Sequence, residues 1–201
     1  IFPLLAAMLP ENWEVEAIYE TVEEVDFDTD ADLIGRRLSA ARPRPPGFRN
    51  ALVQNIVAGN TATLNAPALA ALRAAGAPDV PYHDWWLYLR LSGVGARITL
   101  DEVPVLYYRQ HAGNVIGAHT GTHAALQRAA ALIGGQYRTW LRANLTALLA
   151  RPDGLLPEHA AAARALLDTP NRLSALRRSG ARRSGRKGQL ILQALALTGR
   201  M

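Results

Sequence analysis

The chain has 201 residues, 49% of them apolar and 19% charged, with a net charge of +5 and no cysteine. Such a length holds one domain with a sizeable core, or one domain and a helical tail, and the balance of residue types is that of a folded protein. The missing cysteine excludes disulfide frameworks, thiolate metal sites and cysteine nucleophiles. No stretch reaches the roughly eighteen uncharged apolar residues that a membrane-spanning helix needs.

Charge is unevenly spread. Residues 11–32 carry ten acidic side chains and no basic one, whereas residues 172–201 carry eight basic side chains and no acidic one. That separation speaks for two different environments and against a uniformly basic nucleic-acid binder.

In chain order, residues 3–24 are compatible with a helix of ill-defined register, and residues 1–24 receive no role. An aspartate run follows (Asp26, Asp28, Asp30, Asp32), then a Pro-rich stretch at 42–47 that reads as an extended connection. Residues 56–64 are β-like around Gly59. Residues 66–75 predict a helix with Pro67 in its first turn and Gly76 as its stop. A second helix is expected over 83–91, after Pro81 and before Gly93, and short strands over 97–100 and 103–108. This alternation argues for an α/β layer arrangement up to about His119. Beyond Gly121 the pattern is helical. Tyr137, Leu141, Leu145 and Leu148 recur at helical spacing within 122–150, with Gly134 and Gly135 as an interruption. Further helices are expected over 157–167 and 188–197.

Three pieces stand in a characteristic order: NIVAGNTATLN at 55–65, HDWWLYL at 83–89 and YYRQHAGNVIG at 107–117. Together they resemble the second half of family 2 glycosyltransferases, particularly the bacterial rhamnosyltransferase-like group, over residues 25–121. The resemblance implies an α/β fold, a partial GT-A (nucleotide-diphospho-sugar transferase) sheet followed by a helical region. Residues 25–121 would be the acceptor-side part of that domain, and 122–201 a helical tail with a basic segment. It also implies a nucleotide-sugar donor, a saccharide or lipid-linked acceptor in cell-surface polysaccharide synthesis, and a divalent metal, Mg or Mn. The metal would be bound mainly by a donor-binding half, with an Asp-x-Asp element, N-terminal to these residues. The expectation is therefore a fragment of an inverting glycosyltransferase, inactive by itself and cytoplasmic, with peripheral contact at the inner face of the cell membrane.

The resemblance puts Asp84 at the position of the general base, which must accept the acceptor hydroxyl's proton as that oxygen attacks the anomeric carbon. The alternative is a helix-start carboxylate that satisfies free amides and the dipole. Trp85 and Trp86 suit a sugar-stacking platform or the core, and adjacent helical positions diverge enough that at most one would face a pocket. His111 suits a metal ligand, and Arg109 a bidentate donor to diphosphate oxygens, against a structural histidine beside a loop arginine. Gly59, Asn60 and Thr61 would line the sugar site, the glycine allowing close backbone approach, and Asn114 would join them on the substrate side.

The aspartate run is read as a solvated acidic turn. As an EF-hand loop starting at Asp26 it has Ala31 where glycine is needed and Arg37 where glutamate is needed. His119 and His123 lack the nearby glutamate of a zinc-protease helix. The basic tail (Arg172, Arg177, Arg178, Arg182, Arg183, Arg186, Lys187) suits anionic lipid head groups or a solvated, partly disordered segment. It has no interleaved aromatics for nucleic acid. Two other functions stand beside the enzymatic one, a non-catalytic remnant or partner module of the same fold and a basic membrane-surface binding protein.

Overall fold

A computed structural model describes residues 16–27, 33–38, 46–110 and 134–201, the strand residues 16–27, 33–38 and 101–110 as backbone. Four strands form a mixed sheet: β1 (Glu16–Phe27), β2 (Leu33–Leu38), β3 (Ala62–Leu64) and β4 (Arg97–Gln110). β1 is central. β4 runs parallel to it from Glu16↔Arg97 to Asp26↔Gln110. Since residues 17–19 and 23–26 of β1 pair with β4 and also with another strand, β3 and β2 share the opposite edge. There β3 lies antiparallel beside 17–19 and β2 antiparallel beside 23–27.

The sheet corrects two expectations. The helix expected over 3–24 is replaced, over 16–24, by the first strand. The segment EAIYETVEEVDF is dense in β-branched and aromatic residues, and hydrogen bonding on both edges outweighs the helix preference of its glutamates. The two short strands expected at 97–100 and 103–108 are one. Thr21↔Pro104 sits where the β1–β4 register shifts, and a proline is tolerated at such a bulge because it owes the ladder no donor there. β2 has no counterpart in the sequence reading. Asp26 is the penultimate residue of β1, and the remaining aspartates of the run lie outside the described residues.

Helical elements follow the cues more closely. A single turn, α1 (Phe48–Ala51), succeeds the Pro-rich stretch. A 3-10 turn over Gly59–Thr61 leads into β3. In α2 (Ala66–Ala75), Asn65 accepts a hydrogen bond from Ala68 N at 3.0 Å, and Gly76, at φ 69°, ends the helix in a conformation other residues resist. α3 (His83–Gly93) and α5 (Pro157–Asp168) start where expected. α4 (Gln136–Leu149) begins directly after Gly135, so the glycine pair marks a start. The basic segment holds two helices, α6 (Arg172–Ser179), capped by Asn171, and α7 (Arg186–Leu197).

Sheet side and helical side share one core. α3 contributes Trp85, Trp86, Tyr88, Leu89 and Leu91 to a buried cluster that also holds residues of α1, α4, α5 and α7. Each fully buried leucine or tyrosine of this set contributes about 1.5–3 kcal/mol through apolar burial. Polar contacts fix the same contact zone. Tyr137 on α4 donates to Val53 O at 2.7 Å, and Trp85 Nε1 donates to Ala51 O at 2.7 Å. Buried Arg90 donates to the carbonyls of Arg151 (2.7 Å) and Asp153, beyond the end of α4. At Gly93 a Cβ would lie 2.8 Å from Leu155 Cδ2, so a larger residue there would have to shift that leucine side chain. No helix among the described residues is long and apolar enough to cross a membrane.

Candidate functional site

The sequence separates Gly59 from Asp84 by a strand, a helix and a loop, and the fold brings them together. Along β1, β3 leaves residue 19 and β2 arrives at residue 23, so an interval opens on that edge. The Gly59–Thr61 turn precedes β3 and contacts β1 there. The start of α3 lies directly against this turn. A Cβ on Gly59 would sit 2.6 Å from His83 Nε2, 3.2 Å from His83 Cδ2 and 3.4 Å from Asp84 Cβ. The backbone at Gly59 thus lies against the two side chains that open the helix, close enough that a larger residue would have to displace the His83 ring.

Asp84 is half-buried in the first turn of α3, with its Oδ1 accepting from Trp85 N at 2.8 Å. The bond satisfies one free amide of the helix start. The second carboxylate oxygen has no hydrogen-bond partner among the described residues. Tyr82 immediately precedes the helix. Its hydroxyl pKa is raised, mainly by burial and further by the charge of Asp84, and its ring meets Trp140 edge-on at 5.0 Å. His83 is exposed. The sequence alone assigns no role to His83, Tyr82 or Trp140, although His83 stands inside the HDWWLYL piece. Trp140 belongs to α4, and no local pattern links it to residue 82.

Other expected site residues divide. Asn60 is exposed beside Gly59. Thr61 is 1% exposed, and its Oγ1 bonds back to Ala58 O at 3.3 Å within its own turn. Trp85 and Trp86 are 4% and 6% exposed. Trp85 is held by its bond to Ala51 O and stacks on Tyr137 at 6.4 Å. Packing, the alternative to sugar stacking, accounts for both tryptophans in this structure. Arg109 lies near the end of β4 paired with Val25. That is six residues beyond Tyr19, the partner of Ala62, or about 20 Å along the strand at roughly 3.3 Å per residue. The Gly59 turn extends from Ala62 in the same direction, toward the C-terminal ends of the parallel strands, where ligands of open α/β sheets bind. His111 and Asn114 lie outside the described residues.

The described residues contain no group of three His, Asp or Glu side chains able to hold a metal ion. They do not by themselves fit a divalent-cation site, and no chemical step below runs through a metal. An open cleft of about 630 Å³ runs along α4, lined among others by Asp79, Thr139, Arg142 and Arg151. Neither the Gly59 turn nor Asp84 contributes to it.

Comparison with protein-family models, with curated proteins and with solved structures returns no match, so a functional reading rests on residues and geometry.

Proposed function

We propose that this chain is the acceptor-side part of an inverting GT-A glycosyltransferase, with Asp84 as the general base. One observation carries the reading: two motifs 24 residues apart in sequence meet within van der Waals contact, and a carboxylate with a free oxygen stands at their junction. In the reaction, the acceptor hydroxyl oxygen gives an electron pair to the anomeric carbon of the donor sugar. Its proton passes to the free oxygen of Asp84. The anomeric carbon–oxygen bond breaks, and its electrons leave with the nucleoside diphosphate, so the configuration inverts. Asn60, exposed beside the base, supplies a donor and an acceptor to sugar hydroxyls. Arg109 and His111, at and beyond the end of β4, serve the diphosphate side. A divalent metal, Mg or Mn, belongs with the donor-binding half implied upstream.

The test is sugar transfer by the product of the complete reading frame, from a panel of nucleotide sugars to saccharide and lipid-linked acceptors. Asp84→Asn should lower transfer by about 10²–10⁴-fold, the range of a general base. The fold should persist, because the amide still accepts from Trp85 N. Unchanged transfer in that variant would remove Asp84 as the base. A loss of transfer that follows a loss of helix content would leave Asp84 as a helix-start carboxylate.

A further inference from the structure

The basic residues of the tail, equivalent in the sequence, are sorted by the structure into two groups. Arg172 and Arg183 are structural. Arg172 donates to Thr169 O and Leu166 O, and Arg183 lies 5.9 Å from the centre of the Tyr137 ring. Arg177, Arg178, Arg182, Arg186 and Lys187 are exposed. Beside the last two stands an unusual helix face. α7 buries Leu192, Leu195 and Ala196 in the core, yet Leu190 is 65%, Ile191 46% and Leu197 70% exposed. At about 100° per residue, Leu190, Ala194 and Leu197 form a stripe opposite the buried face, with Arg186 on one flank and Lys187 and then Ile191 on the other. The helix is apolar on two sides, and cations frame its outer one.

We propose that α7 docks flat on an anionic lipid surface, inserting Leu190, Ile191 and Leu197 between head groups while Arg186, Lys187 and the exposed arginines of α6 and its following loop hold lipid phosphates. Charge complementarity selects this occupant, because no acidic residue follows Asp168 and an anionic bilayer answers both features at once. A site built this way lies along the interface and does not span. The inference stands apart from the glycosyltransferase reading and survives its failure, since it uses none of the same residues.

Co-sedimentation of the chain with phosphatidylcholine vesicles, with and without phosphatidylglycerol, tests it. Binding is expected only with phosphatidylglycerol, falling steeply with added salt. Leu190→Asn with Ile191→Asn and Leu197→Asn should weaken partitioning at least about tenfold, as should Arg186→Gln with Lys187→Gln. All five side chains are exposed, so an unchanged thermal transition is expected and shows that the fold is intact. In Leu190→Trp, indole emission should shift to the blue on adding anionic vesicles. Overturning results are no binding to anionic vesicles, binding insensitive to the asparagine variant, or a dimer of the free chain that the asparagine variant dissociates, which would give this face to a second copy.

Discussion

Substituting Gly59→Ala places a methyl group 2.6 Å from His83 Nε2, where carbon and nitrogen normally stand about 3.5 Å apart or more. Roughly 1 Å must be found. The contact at Asp84 Cβ, 3.4 Å, needs almost none. His83 is exposed and its ring is the far end of a flexible side chain, so the ring moves and the backbone stays. A displaced rotamer costs about 0.5–1.5 kcal/mol, while the added Cβ restricts the unfolded chain and returns about 0.4–1 kcal/mol. The two nearly cancel, and denaturant unfolding should show a net change within about 1 kcal/mol. Sugar transfer should fall by far less than the order of 10² that a misplacement of about 1 Å at reacting groups can cost, because Asp84 stays in place. The decisive assay is a double-mutant cycle with His83→Ala, read by unfolding and by sugar transfer. Removing the imidazole removes the clash, so Gly59→Ala should cost less in the His83→Ala background than in the native one. Additivity in both readouts, with the His83 ring resonances unmoved by Gly59→Ala, would refute the close approach and with it the junction on which the site is built.

Tyr137→Phe deletes the buried donor to Val53 O and should destabilise the fold by about 1–3 kcal/mol in urea unfolding, the cost of a buried acceptor left unpaired. Arg90→Met keeps much of the side-chain volume but frees the carbonyls of Arg151 and Asp153. A loss of about 1–3 kcal/mol is expected, with faster amide exchange at residues 151–156 before the rest of the helical side. Burial pushes the Tyr88 hydroxyl from 10.0 up to about 12, and it raises Tyr137 as well. A raised tyrosine leaves stability untouched below pH 10 and lowers it as pH climbs toward 12, because only the unfolded chain ionises there. For Tyr88 the loss is about 2–3 kcal/mol. Urea midpoints across that window, followed with tyrosinate absorbance, check it, and Tyr88→Phe should flatten the profile.

Local chemistry in the sequence located what local chemistry decides. Pro67 and Gly76 bracket α2 and Pro157 opens α5, each through a backbone preference that acts within a few residues, whereas Gly134 and Gly135, read as an interruption, precede the start of α4. Strand pairing is a different matter. Nothing within Glu16–Phe27 tells that it gains partners on both edges, and its glutamates argue for a helix until β4, some eighty residues on, completes the ladder. The short α1 and the ordered α6 were hidden for a similar reason. Their own sequences are poor in apolar residues, and packing of Phe48, Ala175 and Leu176 stabilises them from outside. At the site, the motifs containing Gly59 and Asp84 could be read, but their contact could not. Thr61, Trp85 and Trp86 share motif positions with exposed neighbours, and only the packing tells which residues turn inward.

The helical side also has a part in the geometry of the candidate base. Asp84 is followed at once by Trp85, whose indole is fixed between Ala51 O and the ring of Tyr137, and Tyr137 is tied through its hydroxyl to Val53. On the other flank, Tyr82 rests its edge on Trp140. Both neighbours of the His83–Asp84 pair are therefore positioned by α4, which lies beyond every motif that suggested the site. A carboxylate in the first turn of a short helix would otherwise share the fraying of that turn. Here two aromatic contacts from a separate helix hold it while its own side chain keeps one oxygen free. The orientation of Asp84 should consequently depend on residues 137 and 140 as much as on residue 59. Substitutions there that leave the fold intact should disturb the junction from behind, moving His83 and Asp84 together, whereas a change at Gly59 displaces the His83 ring alone.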